Sequence, residues 1–225
     1  MRFSVLGLGL AMTAFGAALG ASDAQAQFYT VTYVEAAPSA TRQATALLKS
    51  YVEAGKKDDG NVSFELLKGI HRPTWFTVVG SWKDQKAYEA HLAVAHSKQM
   101  NEKIRALVAA PNDTRQHSGL AIAAAEKGKA RVCAVTHVDV IPPQREPGTA
   151  AVKKLAEDSR KHAGNIRFDV LVQTNRPNHF TVVECWQNRK AFDNHVAAKE
   201  TRAFRDKLVT MTGALYDERL YKAVD

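Results

Sequence analysis

RPTWFTVVGSW occupies residues 72–82, and a close copy, RPNHFTVVECW, occupies residues 176–186, an offset of 176 − 72 = 104 residues. Chance does not hold one register over a long stretch, and further matches keep this offset without any insertion. They are GNVSF at 60–64 with GNIRF at 164–168, VTYV at 31–34 with VTHV at 135–138, and His91 with His195. The pattern predicts a tandem duplication of a unit of about 100 residues, which is an ordinary domain size.

Four stretches of the first unit are predicted to be β-strands from their alternation and their residue types. They lie at residues 28–35, 61–68, 75–82 and 115–122. A short turn with Gly69 and Pro73 separates the second from the third, so these two strands are expected to form a hairpin. The second unit repeats the series and closes at residues 215–223.

Two helices are predicted between these strands. Pro38 opens the first, and Asp84 caps the second, whose apolar residues recur about every four positions. Those residues are Tyr88, Leu92, Met100, Ile104 and Leu107. The resulting order, β-α-β-β-α-β, is typical of the ferredoxin-like arrangement, in which both helices cover one face of a four-stranded antiparallel sheet.

The third strand is apolar on both of its faces. Phe76, Val78 and Trp82 would point one way, while Trp75, Thr77 and Val79 would point the other. A strand buried on both faces needs a second cover, and the other unit's sheet is the simplest one. We therefore predict an α+β fold in which two ferredoxin-like units pack sheet to sheet within one chain. The predicted domains are 27–122 and 131–225, joined by a linker at 123–130.

The first 26 residues have the pattern of a secretory signal peptide. Arg2 precedes an uncharged apolar run from Val5 to Leu19, and Ala24-Gln25-Ala26 offers a small-x-small cleavage site. A retained membrane anchor is the alternative, but the run is short for a span of about 20 residues and contains three glycines. We expect cleavage after residue 26 and a periplasmic or secreted protein with no integral membrane segment.

Charge and cysteine content exclude several classes of protein. The chain has 31 Lys and Arg against 23 Asp and Glu, a net charge of +8, but the basic residues are scattered, and no nucleic-acid partner is expected. Two cysteines cannot make a disulfide scaffold. Cys133 and Cys185 are expected at opposite ends of parallel neighbouring strands, so the sequence predicts no bridge between them.

Residues of both units resemble the antibiotic biosynthesis monooxygenase superfamily of small dimeric α/β-barrel proteins. The motif is Gly-Asn-x-x-Phe, then Phe-Thr-Val-Val-x-x-Trp, then Lys-Ala-x-x-x-His, with His96 five residues after His91. The resemblance implies that one chain forms the barrel that single-domain relatives form as homodimers. The protein would then be a monomer or a higher homo-oligomer. It also implies oxidation of quinols or polyketide phenols without a cofactor. Haem chemistry is disfavoured, because His91 and Asn101 stand where haem-degrading relatives carry Trp and His.

His91 and His195 are the candidate catalytic residues. An imidazole near neutral pKa can help to remove the proton of a phenol or quinol, which makes the ring reactive towards oxygen. Trp82 and Trp186 would pack against the substrate ring. The alternative is purely structural, with His at a helix-sheet contact and Trp filling the end of the barrel.

The remaining candidate substrate-binding residues differ between the units or lie in turns. They are Tyr33 and His137, His96, Glu184, and Arg72 and Arg176. Glu184 corresponds to Gly80 in the repeat. A partly buried carboxyl there would have a raised pKa, and the alternative is a carboxylate at the sheet edge that pairs with a Lys. The arginines would suit an acidic substrate, or they simply belong to the turns. No metal site is expected, because the chain has no His-x-x-x-His or Cys-x-x-Cys spacing.

The sequence thus predicts an exported monooxygenase-like protein that acts on a small aromatic or quinol-like molecule. The alternative is a non-catalytic periplasmic module that binds an aromatic ligand or serves in a stress response. A cavity with both histidines pointing into it would favour the enzyme, and a filled barrel would favour the module.

Overall fold

A computed structural model describes residues 27–124, 128–130 and 132–224. The predicted signal peptide, residues 1–26, lies outside the described residues. None of the helices within the described ranges combines the length and the apolar character needed to span a bilayer.

Within the described residues, each unit contains four strands and three α-helices. In the first unit they are β1 (Phe28–Glu35), α1 (Thr41–Gly55), β2 (Asn61–Gly69), β3 (Trp75–Trp82), α2 (Gln85–Ala93), α3 (Ala95–Ile104) and β4 (Asp113–Ala121). In the second they are β5 (Val132–Asp139), α4 (Arg145–Ser159), β6 (Asn165–Gln173), β7 (Arg176–Trp186), α5 (Arg189–Ala197), α6 (Lys199–Val209) and β8 (Asp217–Ala223). The predicted linker lies between β4 and β5.

The eight strands form one closed barrel in the order β1-β3-β2-β8-β5-β7-β6-β4. Within a unit the sheet has the ferredoxin-like order, with the first strand between the third and the fourth. The units join twice, because β8 pairs with β2 and β4 pairs with β6. The predicted fold class is confirmed.

Three apolar clusters account for the two-sided burial of the central strands. One fills the barrel interior with side chains from both units, among them Tyr29, Val79, Leu171 and Tyr221. The other two lie between each sheet and its helices. Phe76, Val78 and Trp82 belong to the helix side, and Val79 belongs to the interior, which is the division predicted from the sequence. The second sheet is the cover that the third strand needed.

The second helix of each unit is broken, and its prediction as a single helix was wrong. Val94, with φ −75° and ψ 160°, ends α2 and caps α3. Ala198, with φ −63° and ψ 147°, does the same between α5 and α6. The apolar spacing continues across the break, so periodicity alone gave no sign of it. The break changes which side chains near it can meet.

Cys133 and Cys185 form a disulfide, so the prediction of no bridge was also wrong. The error lay in the strand direction. The hairpin reverses the chain, so the first and third strands of a unit run antiparallel, and Cys133 of β5 lies directly opposite Cys185 of β7. Their Cα atoms are 4.0 Å apart, and both side chains face the barrel interior.

Candidate functional site

His91 lies in the last turn of α2, where the helix packs on the sheet. Asp84 caps this helix by accepting a hydrogen bond from the Ala87 backbone N–H, which fixes where the helix begins. The His91 ring lies 4.5 Å from the Trp82 ring and 5.2 Å from the Phe64 ring, centroid to centroid. It is 1% exposed, so the predicted contact between His91 and Trp82 exists but is closed to solvent.

Both nitrogens of His91 have partners. Nδ1 lies 2.5 Å from Asp58 Oδ2, and Nε2 lies 2.7 Å from the Tyr51 hydroxyl. Burial lowers the pKa of His91, and the Asp58 carboxylate opposes this in part. The imidazole is therefore neutral at pH 7 and able to accept a proton. Tyr51 lies between His91 and a cavity, and Asp58 lies between His91 and His96.

The cavity beside Tyr51 has a volume of about 220 Å³ and lies between the first sheet and its helices. Its apolar wall includes Tyr51, Phe64 and Tyr88, and its polar wall combines threonines and asparagines: Thr30, Thr32, Thr114, Asn101 and Asn112. Asn112 Oδ1 is buried and has no hydrogen-bond partner among the described residues. A buried acceptor without a partner is costly, and a ligand that donates a hydrogen bond would satisfy it.

The second unit fills the equivalent space with charged and aromatic side chains. Glu184 lies where the first unit has Gly80, and its Oε2 accepts a hydrogen bond from Trp186 Nε1 at 2.7 Å. Arg205 and Glu218 stand in place of Asn101 and Thr114, and they form an ion pair at 2.7 Å. The first unit is therefore the open copy.

Burial dominates the ionisation of this filled region. It raises the pKa of Glu184 to about 8, with the Trp186 hydrogen bond acting in the opposite direction. It also lowers the pKa of His195 to about 3, helped by the nearby charges of His162 and Arg205. The expectation of a raised Glu184 pKa agrees with the structure, although the side chain is fully rather than partly buried.

Tyr33 and His137 do not reach either helix-side region. Both point into the barrel interior near one end, with ring centroids 5.1 Å apart. Arg115 Nη1 lies 3.2 Å from the His137 ring nitrogens. Burial lowers the pKa of His137 to about 4, and Arg115 adds to that shift. The structure groups these two residues together and separates them from His91 and His195.

The two hairpin arginines lie outside the helix-side cavity as well. Arg72 is exposed and stacks on the Trp75 ring at 4.2 Å. Arg176 is exposed too, and it lines a separate polar cavity of about 590 Å³ together with Asp113 and His179. Neither arginine contacts the cavity beside Tyr51.

His96 does not line this cavity and instead contacts Asp58. Its Nε2 is 3.0 Å from Asp58 Oδ2, and 27% of its side chain is exposed. Asp58, His91 and His96 each offer one metal-ligating atom, and these atoms all lie within 4.8 Å of one another. Glu200, the counterpart of His96, lies 3.8 Å from His162.

Sequence reasoning missed Tyr51 and Asp58. Tyr51 lay in the apolar series of α1 and had the signature of a core residue, while Asp58 lay in the polar run that ends that helix. One signal was present in the repeat. Tyr51 corresponds to Leu155 and Asp58 to His162, and such unequal pairs mark positions where the two copies diverge.

Comparison with known families agrees with the duplicated architecture. The profile described as Antibiotic biosynthesis monooxygenase matches residues 27–103 and again residues 131–207, more than half of the chain in total. A candidate monooxygenase of Bacillus subtilis (strain 168), YcnE, is 25% identical over 81 residues, which is 36% of this chain and 85% of that protein. The resemblance seen in the sequence motifs is confirmed.

Solved structures match the whole barrel. A candidate monooxygenase from Fusobacterium nucleatum subsp. nucleatum aligns with a TM-score of 0.79 at 15% identity, covering 89% of this chain and 93% of that one. Another, from Lactobacillus acidophilus, aligns with a TM-score of 0.72 at 14% identity, covering 88% and 94%. At these identities the likeness concerns the fold.

Proposed function

The chain belongs to the antibiotic biosynthesis monooxygenase family, and from this premise we propose that it oxidises a small phenolic or quinol substrate with O2, without a cofactor. The reaction takes place in the helix-side cavity of the first unit. The observation that carries the proposal is the connected set Asp58, His91 and Tyr51, which ends at the wall of that cavity.

The cavity suits a small aromatic molecule. Its volume of about 220 Å³ is below the roughly 300 Å³ at the lower end for drug-sized ligands, so it favours one or two rings. Phe64, Tyr88 and Met100 supply apolar and aromatic contacts. Asn112 Oδ1 supplies an acceptor for a substrate hydroxyl.

Tyr51, rather than His91 as expected from the sequence, contacts the substrate hydroxyl. Burial raises the pKa of Tyr51, so the phenol stays protonated and cannot act as a base alone. With the His91 proton on Nδ1, His91 donates to Asp58, and Nε2 accepts from the Tyr51 hydroxyl. A substrate hydroxyl can then give its proton to Tyr51 while Tyr51 gives its own to His91. The Asp58 carboxylate stabilises the imidazolium, and the substrate phenolate reduces O2 more readily than the phenol.

A binding module without catalysis is the second candidate. Two observations favour it: the barrel interior is filled, and the cavity wall contains no histidine among the described residues. Such a module would use the same cavity for the same class of ligand. Binding without oxygen consumption separates it from the enzyme.

Tyr51→Phe tests the proton path, and its turnover is measured by oxygen uptake with a panel of small hydroquinones and naphthols. The variant keeps the ring and the cavity but loses the proton path, so kcat should fall by about 100-fold, the lower range for acid-base catalysis. Tyr221→Phe is the matched control, because Tyr221 is buried in the barrel interior, away from the cavity. It should retain the wild-type rate.

Equal rates in Tyr51→Phe and wild type would remove the proton path from the proposal. No turnover with any member of the panel, but saturable binding by wild type, would establish the module instead. His195→Ala tests the second unit, whose filled region should make no difference to the rate.

Export is part of the proposal and rests on the pattern of residues 1–26. Mass spectrometry of protein from the periplasmic or culture fraction should give a mature chain that begins at Gln27. Recovery of the full-length chain from membranes would instead indicate a retained anchor.

A further inference from the structure

Three metal-ligating side chains converge on one point at the end of α1 in the first unit. They are Asp58, His91 and His96, whose ligating atoms all lie within 4.8 Å of one another. We propose that this set binds a divalent transition metal ion of the Zn²⁺ class. The inference goes beyond the oxidation proposed above, because it concerns the Nδ1 atom of His91 rather than the cavity, and its test does not depend on turnover.

The helix break at Val94 is what brings the two histidines together. On a continuous α-helix, residues five apart project about 140° away from each other and cannot share one ligand. Here His91 lies in the last turn of α2 and His96 lies in the first turn of α3, so both imidazoles face Asp58. Asp58 Oδ2 is 2.5 Å from His91 Nδ1 and 3.0 Å from His96 Nε2. Ligand atoms held at roughly 2.0–2.2 Å from one tetrahedral ion lie about 3.4 Å from each other, so Asp58 Oδ2 would move about 1 Å away from His91 Nδ1 to admit the ion.

The surroundings match those of a metal site open to solvent. His91 is fully buried, whereas the side chains of Asp58 and His96 are 15% and 27% exposed, so an ion has an entry path. Three protein ligands leave a fourth position for water. The Tyr51 oxygen lies 2.7 Å from His91 Nε2 and can accept its N–H, which leaves the Nδ1 lone pair for the metal. The proton path through Tyr51 needs the other tautomer, so the ion and that path exclude each other.

The second unit carries the same donor set at the same three positions in a different arrangement. Asp58, His91 and His96 correspond to His162, His195 and Glu200, so each copy has two imidazoles and one carboxylate. Two of the three positions have changed residue type, yet the composition of the set is the same. Packing alone would not link those two exchanges, because Asp, His and Glu differ in size and shape.

The donor set of the first unit is the better candidate for a metal site. In the second unit His162 Nδ1 lies 3.1 Å from His195 Nδ1, but the Glu200 carboxylate is 48% exposed and 3.8 Å from His162. The carboxylate is therefore less constrained than Asp58. Imidazole ligands favour zinc and its neighbours over Mg²⁺ and Ca²⁺, which prefer oxygen alone.

The test is titration of metal-free, untagged mature protein with Co²⁺ and Zn²⁺. Co²⁺ reports coordination through its visible absorption, and Zn²⁺ competition gives affinity. The diagnostic variant is His96→Gln, which removes a partly exposed ligand. Glu200→Gln is the matched control, a change at the equivalent position of the second unit, where the side chain is 48% exposed against 27% for His96. Circular dichroism confirms that both variants are folded.

Wild type should bind one ion tightly, and His96→Gln should weaken that binding by at least about 100-fold, since even outer-shell changes cost 10–100-fold. Glu200→Gln should keep the tight site. Either of two results overturns the proposal: no cobalt spectrum in wild type, or a His96→Gln titration that matches wild type. Turnover plays no part in the readout, so failure here would not bear on the oxidation.

Discussion

Gly80 and Glu184 occupy equivalent positions, and this difference is one of those that separate the open region of the first unit from the filled region of the second. A Cβ at Gly80 would come within 2.6 Å of Thr30 Oγ1 and 2.7 Å of Trp82 Nε1. Trp82 Nε1 donates to Thr30 instead, at 3.2 Å. In the second unit Ala134 replaces Thr30, and Glu184 takes over as the acceptor for the tryptophan. The first unit keeps its cavity because Thr30, on the neighbouring strand β1, accepts the hydrogen bond of the Trp82 indole and no carboxyl group is needed at position 80.

The buried Glu184 carboxyl should make the protein less stable as pH rises from about 5 to 8. Its folded pKa of about 8 exceeds the ordinary value of 4.5, so the unfolded chain releases the proton first. The stabilisation is complete below pH 4.5 and is lost as pH rises through 8. Glu184→Gln cannot lose a proton, and its stability relative to wild type should therefore grow by about 3 kcal/mol at most between pH 5 and 8.

Urea unfolding at both pH values measures this change, and any pH-independent effect of the substitution cancels in the comparison. The control is Glu89→Gln, which alters a solvent-exposed carboxylate on α2 and should show the same difference from wild type at each pH. A Glu184→Gln curve that parallels wild type from pH 5 to 8 would mean that Glu184 is ionised in the folded protein.

At the scale of the elements, the sequence predicted the strands well and the second helix poorly. The β3 pattern was decisive, because period-two alternation with apolar residues on both faces has few structural solutions. The helix break at Val94 left no such trace. Position 94 is a valine, a residue type that does not mark a helix end, and yet its backbone is extended. Asp58 and His96 could not be placed together until that break was known.

The disulfide between β5 and β7 should contribute measurably to stability. It closes a loop across a sequence separation of 52 residues, for which chain-entropy arguments give about 2–4 kcal/mol. Reduction should lower the Tm by roughly 4–16 °C for a chain of this size. Calorimetry with and without dithiothreitol measures the shift, and thiol titration of the unreduced, denatured chain should find no free thiol. A Cys133→Ser, Cys185→Ser protein serves as the control, because reductant should not change its Tm.

At the scale of the whole molecule, the 104-residue offset predicted two units, and the third strand, apolar on both faces, predicted that their sheets face each other. Neither could predict which copy stays open, because that depends on several side chains meeting across the fold. Arg205, Glu218 and Tyr216 replace Asn101, Thr114 and Asn112 in one region of space, although they are far apart in sequence. Each difference is uninformative by itself, and only the assembled barrel shows that they fill the same volume.

The first unit expressed alone, as residues 27–122, should not remain a folded monomer. Both β2 and β4 would lose their partner strands, β8 and β6, and the interior cluster around Tyr29, Val31 and Val79 would be exposed to water. Light scattering should find a homodimer that closes the barrel with a second copy, or aggregate. Co-expression with residues 131–225 should restore a one-to-one complex. A monodisperse, cooperatively folded monomer would contradict this account.

The disulfide between Cys133 and Cys185 also fixes the pairing register of β5 and β7. A slip of β7 by one residue against β5 would exchange its two faces. Val183 and Cys185 would then turn towards the helices, and Glu184 and Trp186 would enter the barrel. Once the bond has formed, only one of the two registers can exist. Oxidation of the two thiols therefore fixes, through a covalent bond, which face of β7 points into the barrel.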